Sequence, residues 1–149
     1  TLHPTDFFDA YKETPKEVKE AVSHLKYNSI YLIMIGLNKP KLNDVHWAYI
    51  PDSNILPNRI SFPSNFSPNM TPRGHSSVLA EVTFSPNGEK SKMKNEEVIG
   101  KTIDDLSGIS IFDKKNIVFT KLVKLPYAYV VYDLDYLKNM GVIENFTRQ

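Results

Sequence analysis

Residues 27–37 read YNSIYLIMIGL, the longest segment of strand-forming residues in the sequence. It is β-branched and aromatic-rich, apolar at both alternating sets of positions, and carries no charge. That pattern predicts a central strand covered on both sides. Upstream, Thr14-Pro15-Lys16-Glu17 combines a capping threonine, proline at the first helical position and a glutamate three residues after the cap. Such a capping box predicts a helix to about Leu25, with Val18, Ala21, Val22 and Leu25 as its apolar stripe.

Downstream, residues 44–50, 59–65 and 76–84 predict strands, separated by Pro51-Asp52 and by the loop from Pro68 to Gly74. Residues 93–107 predict a helix with Val98, Thr102, Ile103 and Leu106 on one side, acidic residues near its start and Gly108 as its stop. Residues 116–125 and 127–133 predict two further strands parted by Pro126, and residues 134–146 a last helix. The order is α, four β, α, two β, α, without βαβ alternation. The expected class is therefore α+β, a largely antiparallel sheet of about six strands with flanking helices.

The 149 residues suit a single domain with a sizeable core. Eighteen Lys and Arg against 17 Asp and Glu leave a net charge of +1, so composition offers no electrostatic footprint for nucleic acid or an anionic membrane. Without cysteine there is no disulfide framework, thiol nucleophile or Cys-ligated metal. The longest apolar run, residues 30–36, is far below the roughly 20 residues of a membrane span. No charged-then-apolar leader opens the sequence, so a cytoplasmic location is expected.

His3, His24, His46 and His75 lack metal-ligand spacing, and no metal site is expected. The acidic pairs Glu96-Glu97 and Asp104-Asp105 read as the solvated side of a helix. Glycines at 36, 74, 88, 100, 108 and 141 cannot form G-x-G-x-x-G or a P-loop. In the strand that begins at Arg59, residues alternate: Ile60 and Phe62 are expected in the core, with Arg59, Ser61 and Asn65 on the opposite face. Pro63 implies an edge or a bulge there. An arginine so placed can grip a phosphate with charge-assisted hydrogen bonds, the competing reading being a solvated surface arginine. Val45, Trp47 and Tyr49 share one face of the preceding strand, as an aromatic wall or as ordinary core.

Four blocks in order resemble a known family: HWAYIPD at 46–52, RISFPSNFSP at 59–68, SSVLAEV at 76–82 and PYAYVVYD at 126–133, with Lys138-Asn139 after the last. The chain resembles UDP-galactopyranose mutases and the related flavin amine oxidase and protoporphyrinogen-oxidase-like proteins from Leu25 onward. The resemblance implies the substrate-side segment of a longer FAD-dependent protein. FAD would be held in that parent by flavin-binding segments absent here, and none is expected on this chain. It further implies that Arg59 holds the diphosphate of a nucleotide sugar, a UDP-hexose, with Tyr49 and Tyr129 assisting, and that Phe66 replaces a phosphate-binding tyrosine of eukaryotic mutases. The implied reaction is a redox-neutral isomerisation serving cell-surface polysaccharide synthesis, with no catalytic residue on this segment. The alternatives are the substrate domain of a flavin oxidase or desaturase, with Arg59 structural or carboxylate-binding, and a non-enzymatic binding module.

Overall fold

In the computed structural model, which describes residues 2–148, the elements run α1 (Pro4–Ala10), α2 (Lys16–Ser23), β1 (Lys26–Leu37), β2 (Trp47–Tyr49), β3 (Arg59–Ser61), α3 (Pro63–Phe66), β4 (Ser76–Phe84), α4 (Asn95–Gly108), β5 (Ile117–Val131) and α5 (Tyr136–Thr147). The class is α+β, and the strands form one sheet of order β2-β3-β4-β1-β5. Two compact units divide the chain, one of Thr1–Asn28 with Tyr127–Gln149, the other of Ser29–Pro126.

In the Ser29–Pro126 unit, β1 and β4 make an antiparallel ladder from Ser29↔Phe84 to Leu37↔Ser76. β2 with β3 and β3 with β4 are antiparallel as well. On the other side of β1, the Asn38 amide donates to the Asn116 carbonyl at 2.8 Å and Ser29 Oγ to the Pro126 carbonyl at 2.7 Å, so β5 runs against β1. The period of two then sorts side chains by face. Tyr31, Ile33, Ile35 and Leu37 of β1 and Val78, Ala80, Val82 and Phe84 of β4 are buried with Ile60, Phe62 and Leu56 in one core. Val98 and Leu106 of α4 close that core from above.

The alternate residues of β1, Leu32, Met34 and Gly36, are only half-buried. The central position of β1 is as expected, but its apolar character on both faces does not mean two covering layers. Within this unit one face is core and the other stays accessible.

The sheet has five strands where six were expected, because β5 continues through Pro126. Proline lacks an N–H, and an edge strand tolerates that where an inner strand does not. The Pro126 carbonyl is satisfied by the Ser29 hydroxyl. The strand expected over residues 59–65 stops at Ser61, since Pro63 starts α3 instead of a bulge. Its fixed φ suits the first position of a helix. Asp105 also departs from expectation: its carboxylate is largely buried, accepts the Leu56 amide at 2.7 Å and pairs with Lys101 at 3.1 Å, tying the β2–β3 connection to α4. Gly108 falls inside the last turn of α4, and the positive φ of 63° is taken by Ser110.

In the other unit, Phe8, Val18, Ala21, Val22 and Ile143 form a second core against Leu25, Met140, Val142 and Phe146. The stripe of α2 is as expected, but its capping box is absent. Thr14 Oγ1 donates instead to the Tyr11 and Phe8 carbonyls, at 2.7 and 3.1 Å, closing the end of α1. Helix α1 was not expected, although Pro4 and Asp6 are first-turn signals. Its cap is His3, whose Nδ1 accepts the Thr5 amide at 3.3 Å while its ring stacks on Tyr127 at 3.6 Å and meets Tyr27 edge-on at 5.0 Å.

Burial holds the His3 pKa below its ordinary 6.5, with Asp6 opposing. A histidine whose folded pKa is depressed contributes stability above the unfolded value and loses it as pH falls through the folded one. Amide-exchange protection at Phe7 and Phe8 is therefore expected to drop as the pH falls through and below 6.5, by more than the global unfolding change. His3→Asn replaces the capping ring nitrogen by an amide oxygen that accepts without titrating, and should flatten that dependence.

Candidate functional site

The accessible face of the sheet in the Ser29–Pro126 unit carries the candidate site. Register places Tyr49 opposite Arg59, Arg59 opposite Glu81 and Glu81 opposite Leu32, so these four form one rung. Directly paired residues project to the same side. The next rung is Trp47, Ser61, Leu79 and Met34. Between the two, Ala48, Ile60, Ala80 and Ile33 point into the core, which turns both flanking rungs to the accessible face.

Arg59 and Tyr49 are thus brought together, as expected, with Trp47 against Tyr49 edge-to-face at 5.3 Å. Tyr49 is 64% and Trp47 50% exposed, so neither is core. The core reading of that aromatic wall does not hold. Its reason is the shortness of β2 and its place at the sheet edge.

Arg59 is not a solvated surface arginine. Its Nε and Nη2 both reach Glu81 Oε1, at 2.8 and 2.5 Å, and the Glu81 side chain is only 6% exposed against 31% for Arg59. A buried carboxylate costs several kcal/mol to desolvate unless a cation and hydrogen bonds compensate it, and Arg59 supplies both. The pair also removes most freedom from the guanidinium, a planar donor that then meets an anion in a set orientation. Glu81 escaped the sequence reading. Its signal was a lone acid amid the apolar run VLAEV, at the parity opposite to Val78, Ala80 and Val82.

The remaining expected residues lie elsewhere. Asn65 is on α3, and its side-chain amide donates to the Val45 carbonyl at 2.6 Å and the Asn43 carbonyl at 3.0 Å, so it braces the segment before β2 instead of sharing a face with Arg59. Phe66, 58% exposed, packs edge-on against His46 at 5.0 Å. Tyr129, 45% exposed, lies on the part of β5 that belongs to the other unit.

A doubly wound fold holds a dinucleotide such as FAD at a glycine-rich turn from strand to helix, where backbone amides reach the pyrophosphate. Gly36 lies within β1, Gly74 in a loop with φ +84°, Gly88 in a turn, and Gly100, Gly108 and Gly141 in helices. Among the described residues, none of these glycines lies in such a turn. Among them no group of three His, Asp or Glu side chains is placed to hold a metal ion, and no helix is long and apolar enough to cross a membrane.

No known sequence family and no curated protein matches the chain. Solved structures do. A reduced UDP-galactopyranose mutase is 20% identical with a TM-score of 0.73, matching 90% of this chain and 28% of its own length. A protein provisionally named protoporphyrinogen oxidase, from Exiguobacterium sp. 255-15, is 10% identical with a TM-score of 0.74 over 97% of this chain and 32% of its own. An oxidoreductase from Methanosarcina mazei is 17% identical with a TM-score of 0.52 over 72% and 25%. The chain therefore spans between a quarter and a third of the proteins it is similar to, and it shares the fold of the segments it matches.

Proposed function

We propose that the chain is the substrate-side part of an FAD-dependent enzyme similar to UDP-galactopyranose mutase, and that the rung of Tyr49 and Arg59 receives the diphosphate of a nucleotide sugar. The supporting observation is the Arg59–Glu81 pair, which presents an oriented guanidinium on an accessible sheet face beside an exposed phenol. In a mutase UDP leaves the anomeric carbon and returns to it, and a flavin held elsewhere in such a protein would supply the covalent chemistry. This segment would have to position the substrate and stabilise the departing charge. Arg59 does so by charge-assisted hydrogen bonds, and the Tyr49 hydroxyl adds one neutral donor. Trp47 and Tyr49 offer ring faces and edges to the nucleoside.

Arg59→Lys keeps the charge and loses the planar fork, so UDP and UDP-galactose binding should weaken by about 1 to 3 kcal/mol in calorimetric titrations. Tyr49→Phe should cost about 1 kcal/mol with the melting temperature unchanged. Tyr129→Phe tests the third residue that the resemblance assigns to the phosphates.

A second reading, the substrate domain of an oxidase or desaturase acting on an apolar molecule, is favoured by the same ion pair if Arg59 serves only to neutralise Glu81. Unchanged UDP-sugar binding in both Arg59→Lys and Tyr49→Phe would put that reading first.

A further inference from the structure

The accessible face also holds a half-enclosed cavity of about 530 Å³, within the range of small-molecule sites. Met34 and Gly36 of β1, Leu79 of β4 and Phe119 of β5 form its floor and wall, and Met70 and Pro72 overhang it. Those walls are almost wholly apolar. At Gly36 a Cβ would fall 3.1 Å from the Phe119 Cβ, so the missing side chain is what lets Phe119 lie across the strand. Unbranched methionines at two sides let the walls adapt to a ligand.

The chemistry of one rim is different. Thr71, Pro72 and His75 belong both to the cavity and to a neighbouring polar cleft that adds Asn69, Arg73 and Gly74. Thr71 Oγ1 donates to the His75 carbonyl at 3.1 Å, and His75 Nδ1 lies 3.2 Å from the Arg73 carbonyl, so residues 71–75 form a closed turn that keeps Arg73 at this rim. Arg73 is exposed, and among the described residues no carboxylate lines either space. An apolar hole with a cationic rim and no acid beside it selects an anion with an apolar body.

We propose that this cavity binds a small amphiphilic monoanion, a medium-chain carboxylate, with its chain between Met34, Leu79, Phe119 and Met70 and its carboxylate at Arg73. Neither Arg59 nor Tyr49 takes part, so carboxylate binding and UDP-sugar binding stand or fall separately.

The four methionines make the test direct, because Met34 and Met70 line the cavity while Met93 and Met140 do not. Protein labelled with 13C at the methionine methyls is titrated with decanoate at millimolar concentrations, with decanol as the neutral counterpart. Saturable shifts of the Met34 and Met70 methyls, with Met93 and Met140 still, are expected. Decanoate should bind about tenfold more weakly to Arg73→Gln, the loss of one charge-assisted hydrogen bond, while decanol binds both forms alike. Three results would each overturn the proposal: no shift at Met34 and Met70, an equal response of all four methyls, or decanoate affinity unaltered in Arg73→Gln. Shifts that follow protein dilution instead of added decanoate would mark a self-association face and overturn it too.

Discussion

Arg59→Leu is expected to destabilise the protein by about 2 to 4 kcal/mol, and adding Glu81→Leu to it is expected to restore most of that loss. The first change takes the guanidinium from a carboxylate whose side chain is 6% exposed, and removing one partner of a buried ion pair is costly because the charge that remains has lost its counter-ion. The lower part of the range for buried pairs applies because Arg59 itself is 31% exposed. Replacing both partners by apolar side chains removes that remaining charge, and such swaps are often neutral or stabilising. Glu81→Leu alone should cost less than Arg59→Leu, since a part-exposed guanidinium can turn to water. Urea denaturation of the four proteins completes the cycle. Additive losses would mean that the pair is not energetically coupled. The doubly substituted protein is useful in itself: folded but without the guanidinium, it should fail to bind UDP-galactose.

Ile33→Ala should cost about 2 to 5 kcal/mol, whereas Met34→Ala, one residue along the same strand, should cost about 1 kcal/mol or less. Ile33 is 0% exposed, in the core that α4 covers, and its removal leaves a cavity as well as a lost transfer free energy. Met34 faces the accessible side, where water replaces the lost side chain. Comparable losses at both positions would show that both faces of β1 are packed in solution, and would remove the surface on which the ligand readings depend.

The alternation that separates these two residues is legible in the sequence, as are β4 and α4, because long segments with a strong period leave few alternatives. What the period does not show is which face of β1 is covered: YLIMIG is apolar on both, and a ligand surface and a second core layer ask for similar side chains. Proline misleads in two places. Pro126 reads as a break but lies on an edge strand, and Pro63 reads as a bulge but opens a helical turn; each outcome depends on neighbours far away in sequence. Thr14 satisfies a local capping pattern and is drawn instead to the carbonyls ending α1.

The site is half legible. Alternation puts Arg59 and Tyr49 on one face once their strands pair, and the pairing follows from the short connection between them. Glu81 is missed because its meaning lies in register, 22 residues from Arg59. Nothing local distinguishes it from an exposed strand acid.

The proposed role of the rung of Tyr49, Arg59 and Glu81 is to receive the phosphates of a nucleotide sugar. Its most direct measurement is a backbone-amide NMR titration of the 149-residue protein with UDP-galactose. Saturable shifts are expected at Trp47, Tyr49, Arg59 and Glu81, lost in Arg59→Lys, with the amides of α4 unmoved. Saturable shifts that leave this rung still, or that persist unaltered in Arg59→Lys, would contradict it.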